Sequence, residues 1–434
     1  MKPQLSQRSR ATIRAREQRG AATLVVVMIL FFIMAMMAAY ANRSLIFEQR
    51  IASNYYRSGV AVEAAEAGLD WTLAMLNGGN VDGLCATGGS STFRQRYLVS
   101  DPSTLNFTST LPSSNSDTSP VASCVRQPTS WICSCPATGT IATTPAPAVS
   151  ADMQPSFQVG LSGTGKVVTI QSLGCTGSTA SACKTDAVTV AAAAQQLLAG
   201  SHASVQAALV SALKSPPAAP LTVRLSVFDG SAQLGLHNSD ATGNGLLLVA
   251  GGTDTLSDTR LESLPGTPVR TAVFTNDATL SGIASADAVF ARFFGMAPEQ
   301  YKNQPAIRDA ACANCADADI NQAIDAGAQM IWVDGALTLS SNGTFGTAAR
   351  PVVIVVNGPV TIIGSVTING VLYAVGNVTA SATQIVVNGA VMGGGNFNIT
   401  SGLMDIYYQA SIINLASNTL GSFVRVPGSW WEGQ

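Results

Sequence analysis

From Ala21 to Ala41 the chain runs 21 residues without a charge, AATLVVVMILFFIMAMMAAYA. About 20 apolar residues are enough for a helix to cross a bilayer, so this one stretch decides where the rest of the chain can fold. Residues 1–20 carry Lys2, Arg8, Arg10, Arg14, Arg16 and Arg19 against a single acid, Glu17. A basic block before an apolar run places the N-terminus in the cytoplasm and the bulk of the chain outside. Three kinds of segment share these features: a secretory signal peptide, a plain membrane anchor, and a leader that is cut before the apolar run. Ala39-Tyr40-Ala41 matches the small-x-small cleavage pattern of the first. The apolar run is, however, longer than the roughly 7–15 residues of a signal peptide.

The residues after the run favour the third. NRSLIFEQRIASNYYRSGVAVEAAEAGLDWTLAML sets Ile51, Tyr55, Val62, Ala65, Leu69, Leu73 and Leu76 at helical spacing, with the charged residues largely off that stripe. Gly78-Gly79 then stops the helix. A single helix over 21–77 is about 85 Å long at 1.5 Å per residue. A signal peptide has no reason to continue as an amphipathic helix, whereas a filament subunit does.

Arg19-Gly20-Ala21-Ala22, the apolar run, Glu48-Gln49-Arg50-Ile51-Ala52-x-Asn54-Tyr55 and Ala64-Ala65-Glu66-Ala67-Gly68-Leu69 resemble the N-terminal domain of PilX-type minor pilins of type IV pili. That resemblance implies cleavage by prepilin peptidase after Gly20 and methylation of the new amine on Ala21. It implies a membrane stage, with the protein a single-pass, N-in species of the inner membrane, and then display on the pilus or cell surface. The implied partners are other pilins and minor pilins and the inner-membrane assembly platform. Major pilins carry a Glu at the fifth mature position, paired with a neighbour's N-terminal amine; here the position is Val25. Its absence fits a low-copy subunit that initiates the filament or sits at its tip. A minor pseudopilin of a type II secretion system shares the same leader and helix and is the alternative.

The remainder divides by composition. Residues 78–156 are rich in Ser, Thr and Pro, and 100–120 read as loop. Within 157–214, a small β/α segment, the stretches 157–159, 167–170 and 187–190 alternate as in a hairpin, and the Ala-rich 191–213 predicts a helix. Ser215-Pro216-Pro217-Ala218-Ala219-Pro220 is a linker, and 221–434 form a β-rich exported head. There an aliphatic-Asn/Asp-Gly motif recurs at 333–335, 356–358, 368–370 and 387–389, with glycines 23, 12 and 19 residues apart. Asn-Gly is also a hairpin turn. The fold class is therefore α+β: a long N-terminal transmembrane and amphipathic helix followed by a mainly β head, either a β-solenoid, which the Val/Ile-rich strands favour, or an antiparallel β-sandwich. Residues 288–325, with Phe290, Phe293 and Tyr301, read as a helical insertion.

Charged residues make up only 11% of the chain, far below a typical soluble domain, and the basic ones cluster in the leader, so nucleic acid is not an expected partner. Eight cysteines on the exported side of a membrane read as disulfides; Cys175 with Cys183 and Cys312 with Cys315 are the local candidates. Cys312-Ala-Asn-Cys315 also has a redox or zinc spacing, without a second pair of metal-like spacing. Asp317-Ala-Asp319 lacks the Gly and Glu of a calcium loop and reads as a helix start. The rival class is an exported polysaccharide-active β-helix enzyme, which needs grouped acids and bases. Between 330 and 405 there are only Asp334, Arg350 and Asp405, and His202 and His237 lie far apart. No catalytic residue, metal or cofactor is expected. Trp430-Trp431 near the C-terminus is a candidate cap or adhesive pair, since aromatics favour interfaces.

Overall fold

The computed structural model describes residues 18–101, 104–110, 120–149, 153–184, 198–230, 233–241 and 243–433. The expected strand over 187–190, the first part (191–197) of the expected helix over 191–213, and most of the leader lie outside these. The chain divides into two compact units, one ending at Gly59 and one from Val60 to Gln434.

One α-helix runs from Gln18 to Leu76, 59 residues without a break. Up to Gly59 its apolar side chains, including Leu24, Phe31, Met37, Phe47, Ile51 and Tyr55, are exposed. The second unit begins with the last turns of this helix, 60–76, which bury Ala61, Ala64, Ala65, Leu69, Thr72 and Leu76. The buried stripe is thus narrower than the spacing suggested: Val62 and Leu73 flank it. Most of its residues are small, so the helix backbone can come close to the sheet beneath.

That sheet is antiparallel. Its order is 421–425, 200–211, 167–175, 156–162, 122–126, 131–134, with Trp431–Gly433 also pairing with 200–211. Gly200–Ser211 is a 12-residue strand, where the alanine content predicted a helix. Alanine favours helix intrinsically, but here Ser201, Ala203, Val205, Ala207 and Leu209 alternate into the core, and tertiary burial overrides propensity. The stretch 100–120 is not all loop either: Phe107–Ser109 pairs with Leu98–Ser100.

From 221 to 407 every strand pairing is parallel. The chain alternates between a wide sheet and a narrower six-stranded one. Met330 lies beside Val353, Val353 beside Val371, and Val371 beside Ala390. In the narrow sheet Leu337, Val360, Val378 and Phe397 stack in the same way. Ile354, Leu372, Val391, Val360 and Phe397 share the core between the sheets. Val353, Val371, Tyr373 and Met392 point the other way, into a second core under Phe290, Phe294, Tyr301 and Ile413. This is why Val352–Val356 is an unbroken run of buried β-branched residues. The expected helical insertion contains the helices Ala286–Phe294, Pro298–Lys302 and Asp317–Asp325, but also the strands Arg308–Asp309 and Asn314–Ala316, which join the parallel sheets.

The recurring Asn/Asp-Gly motif serves two positions. Asp334-Gly335 and Asn357-Gly358 lie between a wide-sheet and a narrow-sheet strand. Asn369-Gly370 and Asn388-Gly389 lie inside wide-sheet strands and pair with each other in parallel. There Asn388 Nδ2 donates to Asn369 Oδ1 (3.0 Å) and Gln409 Nε2 to Asn388 Oδ1 (3.1 Å), an amide ladder across three coils. Gly370 and Gly389 have φ of 146° and 141°, and a Cβ on either would collide with the carbonyl oxygen of the preceding coil. The mixture of two roles accounts for the uneven spacing.

Candidate assembly helix and the head behind it

Gly20 and Ala21 fall in the first turns of the helix Gln18–Leu76. Val25 lies further along it and is 53% exposed. Among the described residues this is the one helix long and apolar enough to cross a membrane.

The helix end is fixed to the head by specific contacts. Asn77 Nδ2 donates to Leu73 O (3.0 Å) and Phe423 O (2.9 Å), while its Oδ1 accepts from Phe423 N (2.8 Å). One amide thus caps the helix and pairs with the C-terminal strand. Asp70 forms an ion pair with Arg425 on the same strand. Beyond the helix, Asn80 N donates to Ala326 O (2.8 Å), which ties the connection to the parallel coils. Trp71 packs against Phe93 and Phe157, with ring centroids 5.7 and 5.8 Å away. The last turns of the helix and the residues just after it are therefore tied both to the antiparallel sheet and to the parallel-strand region.

Four disulfides reinforce the head. Cys175 joins Cys183 and Cys312 joins Cys315; Cys85 joins Cys135 and Cys124 joins Cys133. The last two are not among the local candidates: Cys85 and Cys135 are 50 residues apart, while Cys124 and Cys133, 9 apart, are spaced much like Cys175 and Cys183, 8 apart. The Cys85–Cys135 bridge closes the Ser/Thr/Pro-rich region over 50 residues. Cys312, Cys315 and Asp319 also bring potential ligand atoms within 4.8 Å of one another. Both sulfurs are spent on the S–S bond, and Asp319 accepts the Ala316 N–H (2.9 Å) at the start of the helix Asp317–Asp325. Asp317 is buried and accepts from Ser340 N and Ser341 N at 2.9 and 3.1 Å, so it holds a turn of the next coil.

Of the other acids and histidines singled out in the sequence, Asp334, Asp405 and His237 are engaged. Asp334 pairs with Lys302 and accepts the Trp332 indole N–H (2.7 Å), and these two bonds hold its carboxyl below the ordinary range. Parallel stacking assembles one cluster invisible in the sequence. His237 faces Glu262 and Asp405 through its two ring nitrogens, each at 3.0 Å, Arg260 reaches Asp405 at 2.6 Å, and Tyr407 stacks on His237 at 4.2 Å. Register explains it, since His237 lies opposite Tyr407 on one neighbour and Glu262 on the other. The cluster ties three strands together, and the Asp405 oxygen facing it is shared by His237 and Arg260. His202 lies on the antiparallel sheet, opposite Gly433. Trp430 and Trp431 are 45% and 61% exposed, with Trp431 on the strand that pairs with 200–211.

Residues 19–70 match the family model described as PilX N-terminal, so this segment is a PilX-type pilin N-terminal domain. No curated protein and no solved structure matches the chain.

Proposed function

We propose that this chain is a minor subunit of a type IV pilus, made as a prepilin, that primes assembly and displays its β-rich head at or near the filament tip. The supporting observation is that the PilX-type segment 19–70 lies within one unbroken helix whose last turns are built into the core of a large, disulfide-bonded head. On this reading the helix first holds the protein in the inner membrane, N-terminus inside. Prepilin peptidase cuts after Gly20, Ala21 is methylated, and the helix then packs among other pilins supplied by the assembly platform. The parallel coils of 221–407 form a β-solenoid whose work is binding and adhesion, not turnover. The same leader and helix would serve a type II secretion pseudopilus.

Deleting the gene tests the choice. Loss of surface pili, with head-specific antibody labelling filament tips in the complemented strain, supports the pilus reading. Normal piliation with loss of a secreted protein set would assign the chain to secretion instead.

Val25 provides a separate prediction. Glu at this position buries a carboxylate in an apolar setting, at a cost of several kcal/mol unless it is paired. In a tip subunit no neighbouring free amine stands ready, so Val25→Glu should reduce the number of pili counted by electron microscopy. Wild-type piliation together with even labelling along the shaft would contradict the tip position.

A further inference from the structure

A cleft of about 510 Å³ opens where the end of the long helix meets residues 305–308 and 325–330 of the parallel-strand region; Leu76, Asn80, Arg94, Arg308, Asp325 and Gly421 are among its walls. A volume of this order suits a small molecule. Its two arginines, Arg94 and Arg308, have no anionic partner among the described residues. Arg94 donates from Nε to Leu76 O (3.3 Å), from Nη1 to Thr419 O (3.3 Å) and from Nη2 to Gly421 O (2.8 Å), and lies over the Phe423 ring at 4.7 Å. All three acceptors are backbone carbonyls. A guanidinium has five N–H groups, so one on each terminal nitrogen of Arg94 is left over. Arg308 sits on a two-residue edge strand and is exposed. No carboxylate of the described residues is within ion-pair reach of either guanidinium. Burial without a counter-charge pulls the Arg94 guanidinium down to about 10.

We propose that this cleft binds a small organic carboxylate, held by Arg94 and Arg308. Unspent N–H groups on the two terminal nitrogens of a guanidinium match the two oxygens of a carboxylate, and such charge-assisted pairs are the strong ones. Asp325, exposed on the same wall, sets a limit on charge: it repels an anion, and repels a doubly charged phosphate more than a singly charged carboxylate group. The binding rests on the head alone and is independent of the pilus assignment.

Titration calorimetry on the full chain in detergent at low salt tests this, with butyrate and glucuronate as singly charged probes for an aliphatic and a sugar source of the carboxylate. Glucose and inorganic phosphate are the comparisons. At least one carboxylate should bind with a Kd of about 1 mM or tighter, and the one that binds identifies the source. Arg308→Gln, at an exposed strand edge, should weaken it about tenfold, and Asp325→Asn should tighten it. Arg94→Lys keeps the charge but loses the fork, and should weaken binding while circular dichroism reports an intact fold. No heat with either carboxylate, a Kd unchanged in Arg308→Gln, or tighter binding of phosphate than of both carboxylates would overturn the assignment.

Discussion

Gly174→Ala is expected to be among the most damaging single-methyl additions in the molecule. Gly174 lies on the antiparallel sheet directly beneath the long helix, and a Cβ there would collide with the Ala61 carbonyl oxygen and with the Ala65 amide nitrogen. Both obstacles are backbone atoms, so no side chain can rotate away; the helix itself must lift. Lifting it opens the contact of Ala65 and Leu69 with Phe157, Val159 and Ile170 in the shared core. Overpacking costs about 1–3 kcal/mol and more where relief is blocked, so we expect roughly 3 kcal/mol or more by denaturant titration. Gly59→Ala is the contrast. Gly59 is on the same helix with nothing near its absent Cβ, and replacing an exposed helical glycine by alanine stabilises by about 1 kcal/mol. Two identical chemical changes should thus have opposite signs.

Removing the Cys85–Cys135 bridge should have the second large effect. It closes 50 residues, for which loop-closure entropy gives about 4 kcal/mol. Cys135 is fully buried beside the helix core, and its N–H donates to Gly83 O at 2.8 Å, so the bridge holds the residues after the helix against the sheet. Cys312–Cys315 closes only three, for which the same relation gives less than about 2 kcal/mol. Cys85→Ser/Cys135→Ser should therefore lower the denaturation midpoint much further than Cys312→Ser/Cys315→Ser. Equal shifts would mean that chain entropy is not what these bridges restrict.

The helix was legible because two signals of different kind agree there: the charge-free length of 21–41, and helical spacing that continues past it. Even so, the spacing could not say which apolar residues are buried. Ala61 and Gly68 carry the closest contact because they are small, and a hydrophobic stripe ranks them last. The strand 200–211 reads as helix for the same reason: its inward residues are mostly Ser and Ala, whose composition speaks for helix while their alternation speaks for strand. The Val/Ile-rich strands of the head were visible, but Asn-Gly pairs read as one motif are two, one in turns and one in an amide ladder inside strands. Two close-spaced cysteine pairs, Cys175–Cys183 and Cys312–Cys315, could be guessed; Cys124–Cys133, spaced much like the first, was not among them though it could have been. Cys85–Cys135 could not, nor could the His237, Glu262, Asp405 and Arg260 cluster, nor a cleft joining Arg94 to Arg308. Each unites residues that are distant in sequence, and only the register of the sheets brings them together.

Central to all of this is the apolar helix as an assembly element released from a leader, not a signal peptide cut away behind it. Mass spectrometry of the mature N-terminus, in cells with and without prepilin peptidase, tests this most directly. The expected chain begins at N-methylated Ala21, and the Met1–Gly20 leader stays attached when the peptidase is missing or when Gly20→Ala blocks the cut. A mature chain beginning at Asn42, independent of that peptidase, would contradict it.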